Sequence, residues 1–172
     1  MRRLSVLWLM VLAMLATVGV AAAANSNYVA HLAARNEIPP AGVVIASLAQ
    51  GQAIYQLSED GTAFHYKLNV ANIENVVAAH IHLGASTVNG PVVAFLYGPA
   101  APGGGRTNGV LAEGTITAAN LVGPLARQPL SALIAAMEAG NTYTNVHTND
   151  GVAPTNTGAG DFPGGEIRGQ IH

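Results

Sequence analysis

Between positions 63 and 70 apolar and polar side chains alternate without a break. Phe64, Tyr66, Leu68 and Val70 fall on one side, and Ala63, His65, Lys67 and Asn69 on the other. A period of two belongs to a strand with one covered face. The same rhythm runs through residues 76–83, where Ala79, Ile81 and Leu83 share the dry face and His80 and His82 the wet one. It returns in residues 166–172, with Ile167, Gly169 and Ile171 opposite Glu166, Arg168 and Gln170.

Shorter runs complete the set. Residues 28–34 form a first strand that Pro39 and Pro40 terminate, since proline has no N–H to give a ladder. Residues 52–57 precede Ser58-Glu59-Asp60-Gly61, a hairpin turn. Residues 92–97 are apolar on both faces and are expected at the centre of the sheet. Residues 110–117 are extended, with Gly114 the expected bulge. In residues 141–148, Tyr143, Asn145 and His147 share a face.

Only residues 129–139 change period. Leu130, Leu133, Ile134 and Met137 recur at three- and four-residue spacing and Gly140 follows, which predicts one short helix. Eight strands, turn residues between them and a single helix predict an antiparallel Greek-key β-sandwich, the helix closing one open end. Residues 149–165 carry neither period and are expected to form a long loop, a feature that is usually functional or mobile.

The N-terminus lies outside this pattern. Arg2 and Arg3 precede an apolar run that ends in Ala21-Ala22-Ala23-Ala24, so residues 1–24 are expected to be a secretory signal peptide and residues 25–172 the mature domain. A retained anchor is the alternative, because the run is long enough to span a bilayer. The protein is therefore expected to be secreted, periplasmic or on the cell surface, and off the membrane once cleaved.

Removing Arg2 and Arg3 from the seven basic residues leaves five against nine acidic ones, a net charge of −4 with neutral histidines. That balance argues against nucleic acid and anionic lipid as partners, both of which call for clustered Lys and Arg. The chain has no cysteine, so neither disulfides nor thiolate chemistry enter, and a hydrophobic core must hold the domain alone.

The sharpest candidate chemistry is a metal site. Two histidines at i and i+2 on a strand have Cβ atoms roughly 6.5–7 Å apart, within reach of one ion. His147 supplies a third ligand to His80 and His82 if its strand lies alongside. Imidazole-rich sites take copper or zinc. The structural alternative is that these rings hydrogen-bond Asn145, Tyr143 or loop carbonyls.

His31, His65 and His172 are expected to be exposed. Glu166 and Arg168 share a face of the last strand and are expected to form a structural ion pair. Asp150 and Asp161 match no calcium-loop spacing. No nucleophile elbow, phosphate-binding glycine loop or zinc-protease helix is present, which favours a non-catalytic module binding an unidentified protein or extracellular polymer.

Four blocks, taken in order, resemble the CHRD domain: Ile38-Pro39-Pro40 after an acidic residue; Ala79-His80-Ile81-His82-Leu83-Gly84; residues 140–148, Gly-Asn-Thr-Tyr-Thr-Asn-Val-His-Thr; and residues 163–171, Pro-Gly-Gly-Glu-Ile-Arg-Gly-Gln-Ile. The resemblance runs from about Tyr28 to the end. It implies a secreted immunoglobulin-like β-sandwich, of the kind that exported bacterial proteins carry as a single copy.

The domain takes its name from chordin, an extracellular growth-factor antagonist. That role does not carry over to a chain with one copy and no cysteine-rich modules. The segment between the Asn-x-His-Thr and Gly-Glu-Ile-Arg blocks is longer here than the family's usual short turn. The His-x-His strand on such a sandwich is also similar to the copper-binding strand of Cu,Zn superoxide dismutase, which implies a redox alternative for His80, His82 and His147.

Overall fold

The computed structural model describes residues 27–172; the expected signal peptide lies outside them. The strands are β1 (Asn27–Ala33), β2 (Gln50–Leu57), β3 (Ala63–Glu74), β4 (Val76–Leu83), β5 (Val92–Tyr97), β6 (Arg106–Thr117), β7 (Thr142–Thr148) and β8 (Ile167–Gln170), with helix α1 (Leu130–Glu138) between β6 and β7. No described helix is long and apolar enough to cross a membrane.

All eight strands belong to one antiparallel sheet, in the order β5-β4-β7-β8-β1-β2-β3-β6. The sheet curls until β5 and β6 approach each other, so two facing layers arise from one continuous and nearly closed ladder. The corner between the layers is Asn75, alone between β3 and β4. It adopts a left-handed backbone at φ 55°, which asparagine tolerates better than most residues. Its side chain accepts from Gly105 N–H and donates to the Gly160 carbonyl.

The alternation read from the sequence packs the interior. Phe64, Leu68 and Val70 of β3 meet Tyr28, Ala30 and Leu32 of β1, Ala53 and Tyr55 of β2, and Ala79 and Ile81 of β4. Phe64 lies edge-on to Tyr28 with ring centroids 5.7 Å apart. The α1 stripe of Leu130, Leu133 and Met137 is buried in the same core. A buried polar contact across it is Tyr55 Oη to Thr144 Oγ1 at 2.7 Å, which satisfies both hydroxyls in a dry setting.

Three local expectations are corrected. β5 is an edge strand, with Phe95 54% exposed, because its outer face meets no second layer. The irregularity in β6 falls at Leu111, opposite the Leu68–Asn69 step, whereas Gly114 pairs regularly with Tyr66. Finally, the face of β4, β7 and β8 that carries the histidines is largely covered. The segments around residues 34–47, 84–91 and 161–165 fold over it, and the long loop turns inward at its end to bury Asp161 and Phe162.

Candidate metal centre

Antiparallel registration decides which side chains meet on that covered face. His80 stands opposite Asn145, and Asn145 opposite Arg168; His82 stands opposite Tyr143, and Tyr143 opposite Gln170. His147 sits across from Ala78, one step along the same face. The potential ligand atoms of His80, His82 and His147 come within 4.8 Å of one another, the one such group among the described residues. Two nitrogens bound to one ion at 2.0–2.1 Å in tetrahedral geometry are about 3.3 Å apart, so small ring movements close the set.

Hydrogen bonds orient the rings. His82 Nδ1 is 2.9 Å from the Gly90 carbonyl and His147 Nδ1 is 2.9 Å from the Pro163 carbonyl. A carbonyl can only accept, so in both neutral rings Nδ1 carries the proton and Nε2 a bare lone pair. His147 Nε2 lies 3.1 Å from His80 Nδ1. His82 Nε2 is buried and has no partner at all. A carbonyl fixing the far nitrogen, as at His82 and His147, is the arrangement that orients metal-ligating histidines.

The rings are also held by stacking. His82 lies parallel to Tyr143, with 10° between planes and 4.8 Å between centroids, and the Arg168 guanidinium carbon is 3.4 Å from the Tyr143 ring centroid. Tyr143 Oη accepts from Gly90 N–H at 3.0 Å, tying the ring to the segment that holds His82. The edge of this assembly is Phe95, set at 86° to His80 with centroids 5.0 Å apart. Burial pushes the His80 imidazole down to about 4, helped by His147 and His82. Burial likewise lowers His82 and His147. All three are therefore neutral at pH 7, the form in which imidazole binds a metal.

Glu166 and Arg168 do not form the expected pair, because they are drawn to different loops. The fully buried Glu166 carboxylate accepts from Ser47 Oγ, Thr148 Oγ1 and Gly160 N–H. Arg168, 1% exposed, donates to the carbonyls of Ala85 and Val88 and to Asn89 Oδ1. Asp150 and Asp161 serve their own loop, accepting from Val152 N–H and from Thr157. His31, His65 and His172 are exposed, away from the triad.

Sequence reasoning missed Glu37 as a side chain. It accepts from Asn145 Nδ2 at 2.9 Å, and burial pushes its carboxyl up to about 8 against the pull of Arg168. Gly165 makes room for this pair: its φ is 131°, and a Cβ there would lie 2.5 Å from Asn145 Nδ2 and 2.8 Å from Glu37 Oε1. The available signal was a lone acid directly before Ile38-Pro39-Pro40. The family model described as the CHRD domain matches residues 28–171. No curated protein matches the chain.

Proposed function

Because the chain belongs to the CHRD domain family, with the match running almost from the first described strand to the end, we propose that it is an exported metal-binding member of that family. His80, His82 and His147 hold one copper or zinc ion. The observation that carries this reading is the buried, unpartnered Nε2 of His82 beside two further neutral imidazoles. A buried acceptor without a donor costs about 1–3 kcal/mol, and a cation removes that cost.

Three imidazoles leave a fourth position open, and a bound copper supplies one-electron chemistry or a bound zinc Lewis acidity. The three imidazoles form a ligand set with no further His, Asp or Glu in the cluster among the described residues, and capture or carriage of the metal is the role this reading assigns. Chelator-stripped protein titrated with Cu(II) and followed by spin resonance, and with Zn(II) by competition, tests it. One equivalent binds, His82→Ala weakens binding by about 100-fold, and the exposed His65→Ala leaves it intact. A protein with no stoichiometric site, or one indifferent to His82→Ala, ends the proposal.

A second reading, a module that docks an extracellular protein or polymer, draws on Val44 and Leu48, which are 81% and 84% exposed, and on Val152 of the long loop. Copurification of a partner that a Val44→Asp, Leu48→Asp double variant abolishes would favour it. Export itself is checked by N-terminal sequencing of protein recovered outside the cytoplasm, which should begin near position 25.

A further inference from the structure

A cavity of about 610 Å³ opens on the same side of β8, lined by Arg35, Asn36, Glu37, Thr87, Arg168 and Gln170 among others, but by none of the three histidines. Its size falls in the range of small-molecule sites, roughly 300–1,000 Å³. The charge it presents is unusual for this chain. Residues 25–172 contain five basic side chains, of which two line this one cavity, whereas of nine acidic ones only Glu37 does. Burial holds the Glu37 carboxyl at about 8, so it is largely protonated at neutral pH and offers an O–H where a carboxylate would repel an anion.

The hydrogen-bonding capacity left over is specific. Arg168 uses three of its five N–H groups on Asn89, Ala85 and Val88, leaving two. Gln170 gives Nε2 to the carbonyls of Gly84 and Gly140, while its Oε1 is buried with no donor. Thr87 adds an exposed hydroxyl at the rim. A ligand that satisfies this lining needs a carboxylate for the guanidinium groups and hydroxyl donors for Gln170. No Phe, Tyr or Trp lines the cavity; Ile38 and the rings of His31 and His172 share its wall with the polar groups.

We propose that this cavity binds a carboxylated sugar, a uronic acid residue either free or at the end of a chain. Arg35 and Arg168 meet the carboxylate, and Gln170 accepts from a ring hydroxyl. The site is separate from the histidine triad and does not depend on metal.

Calorimetric titration of chelator-treated protein with galacturonate, trigalacturonate, galactose and acetate tests this. Galacturonate should bind at least about tenfold more tightly than neutral galactose or hydroxyl-free acetate. Arg35→Ala, at an exposed side chain, should weaken it about fivefold or more, while His65→Ala, at an exposed residue outside the cavity, leaves it unchanged. A trimer that binds more tightly than the monomer identifies a polymer as the source, and equal affinities identify the free sugar acid. Amide shifts on adding galacturonate should gather at residues 31–38, 86–87 and 168–172. Galactose binding as well as galacturonate, no binding up to about 20 mM, or indifference to Arg35→Ala overturns the proposal.

Discussion

His80 Nδ1 lies 3.1 Å from His147 Nε2, and because His147 has committed its own Nδ1 proton to Pro163, the proton between the two rings belongs to His80. An ion entering the triad takes the place of that proton. In a neutral imidazole the displaced proton has somewhere to go, the other nitrogen of His80.

Metal binding at pH 7 should therefore release no net proton from the triad. Calorimetric titrations in two buffers of different ionisation enthalpy should give the same heat. Affinity should stay level from pH 8 down to about 6.5 and decline in more acid solution, as the three imidazoles, each held below the ordinary value by burial, take up protons. Release of a full proton per ion at pH 7 contradicts this arrangement.

Stability of the metal-free protein should peak in mildly acidic to neutral solution. The three histidines titrate below the ordinary value of 6.5 when folded. As pH falls through 6.5 the unfolded chain takes up protons that the native state refuses, so stability falls toward pH 4. Glu37 acts in the other direction, being raised from 4.5 to about 8. Between those values the native state keeps a proton the unfolded chain has lost, and stability declines with rising pH by at most about 1.4 kcal/mol per unit. Below 6.5 three histidines outweigh one carboxyl; above it Glu37 acts alone. Melting curves across pH 4–9 should show this maximum, and Glu37→Gln should flatten the alkaline side while steepening the fall between about pH 6.5 and 4.5, where Glu37 opposes the histidines.

Glu166→Ala should cost about 2–4 kcal/mol in urea denaturation, because it strands Ser47, Thr148 and Gly160 N–H in a buried site. An exposed ion pair with Arg168 would make the same change worth only ~0–1 kcal/mol. The measured loss thus separates the two roles.

Tyr143 couples the triad to the β8 face. Tyr143→Phe keeps the stack on His82 but leaves Gly90 N–H without its acceptor, costing about 1–2 kcal/mol with metal affinity nearly unchanged. Tyr143→Ala removes the ring between His82 and Arg168, costing about 3–5 kcal/mol and weakening metal binding. Equal metal affinity in the wild type and Tyr143→Ala would show that the stack does not position His82.

Side-chain period, a purely local property, determined a good deal. The alternation from Phe64 to Val70 and from Ala79 to Leu83, and the stripe from Leu130 to Met137, named the core before any neighbour was known, because covering one face of a strand or helix demands those periods. It also placed His80 beside His82 and put Tyr143, Asn145 and His147 on one face. What period could not carry was the partner of each strand. Phe95 reads as interior by composition, yet it lies on an edge strand because pairing order is a long-range choice.

Registration of β4 against β7 brought His147 to His80, and three loops folding over the polar face turned an expected wet surface into a buried one. That covering separated Glu166 from Arg168 and raised Glu37. Local spacing specified which groups share a face; only the tertiary structure decided which of them lose water together, since desolvation depends on what the rest of the chain lays over them.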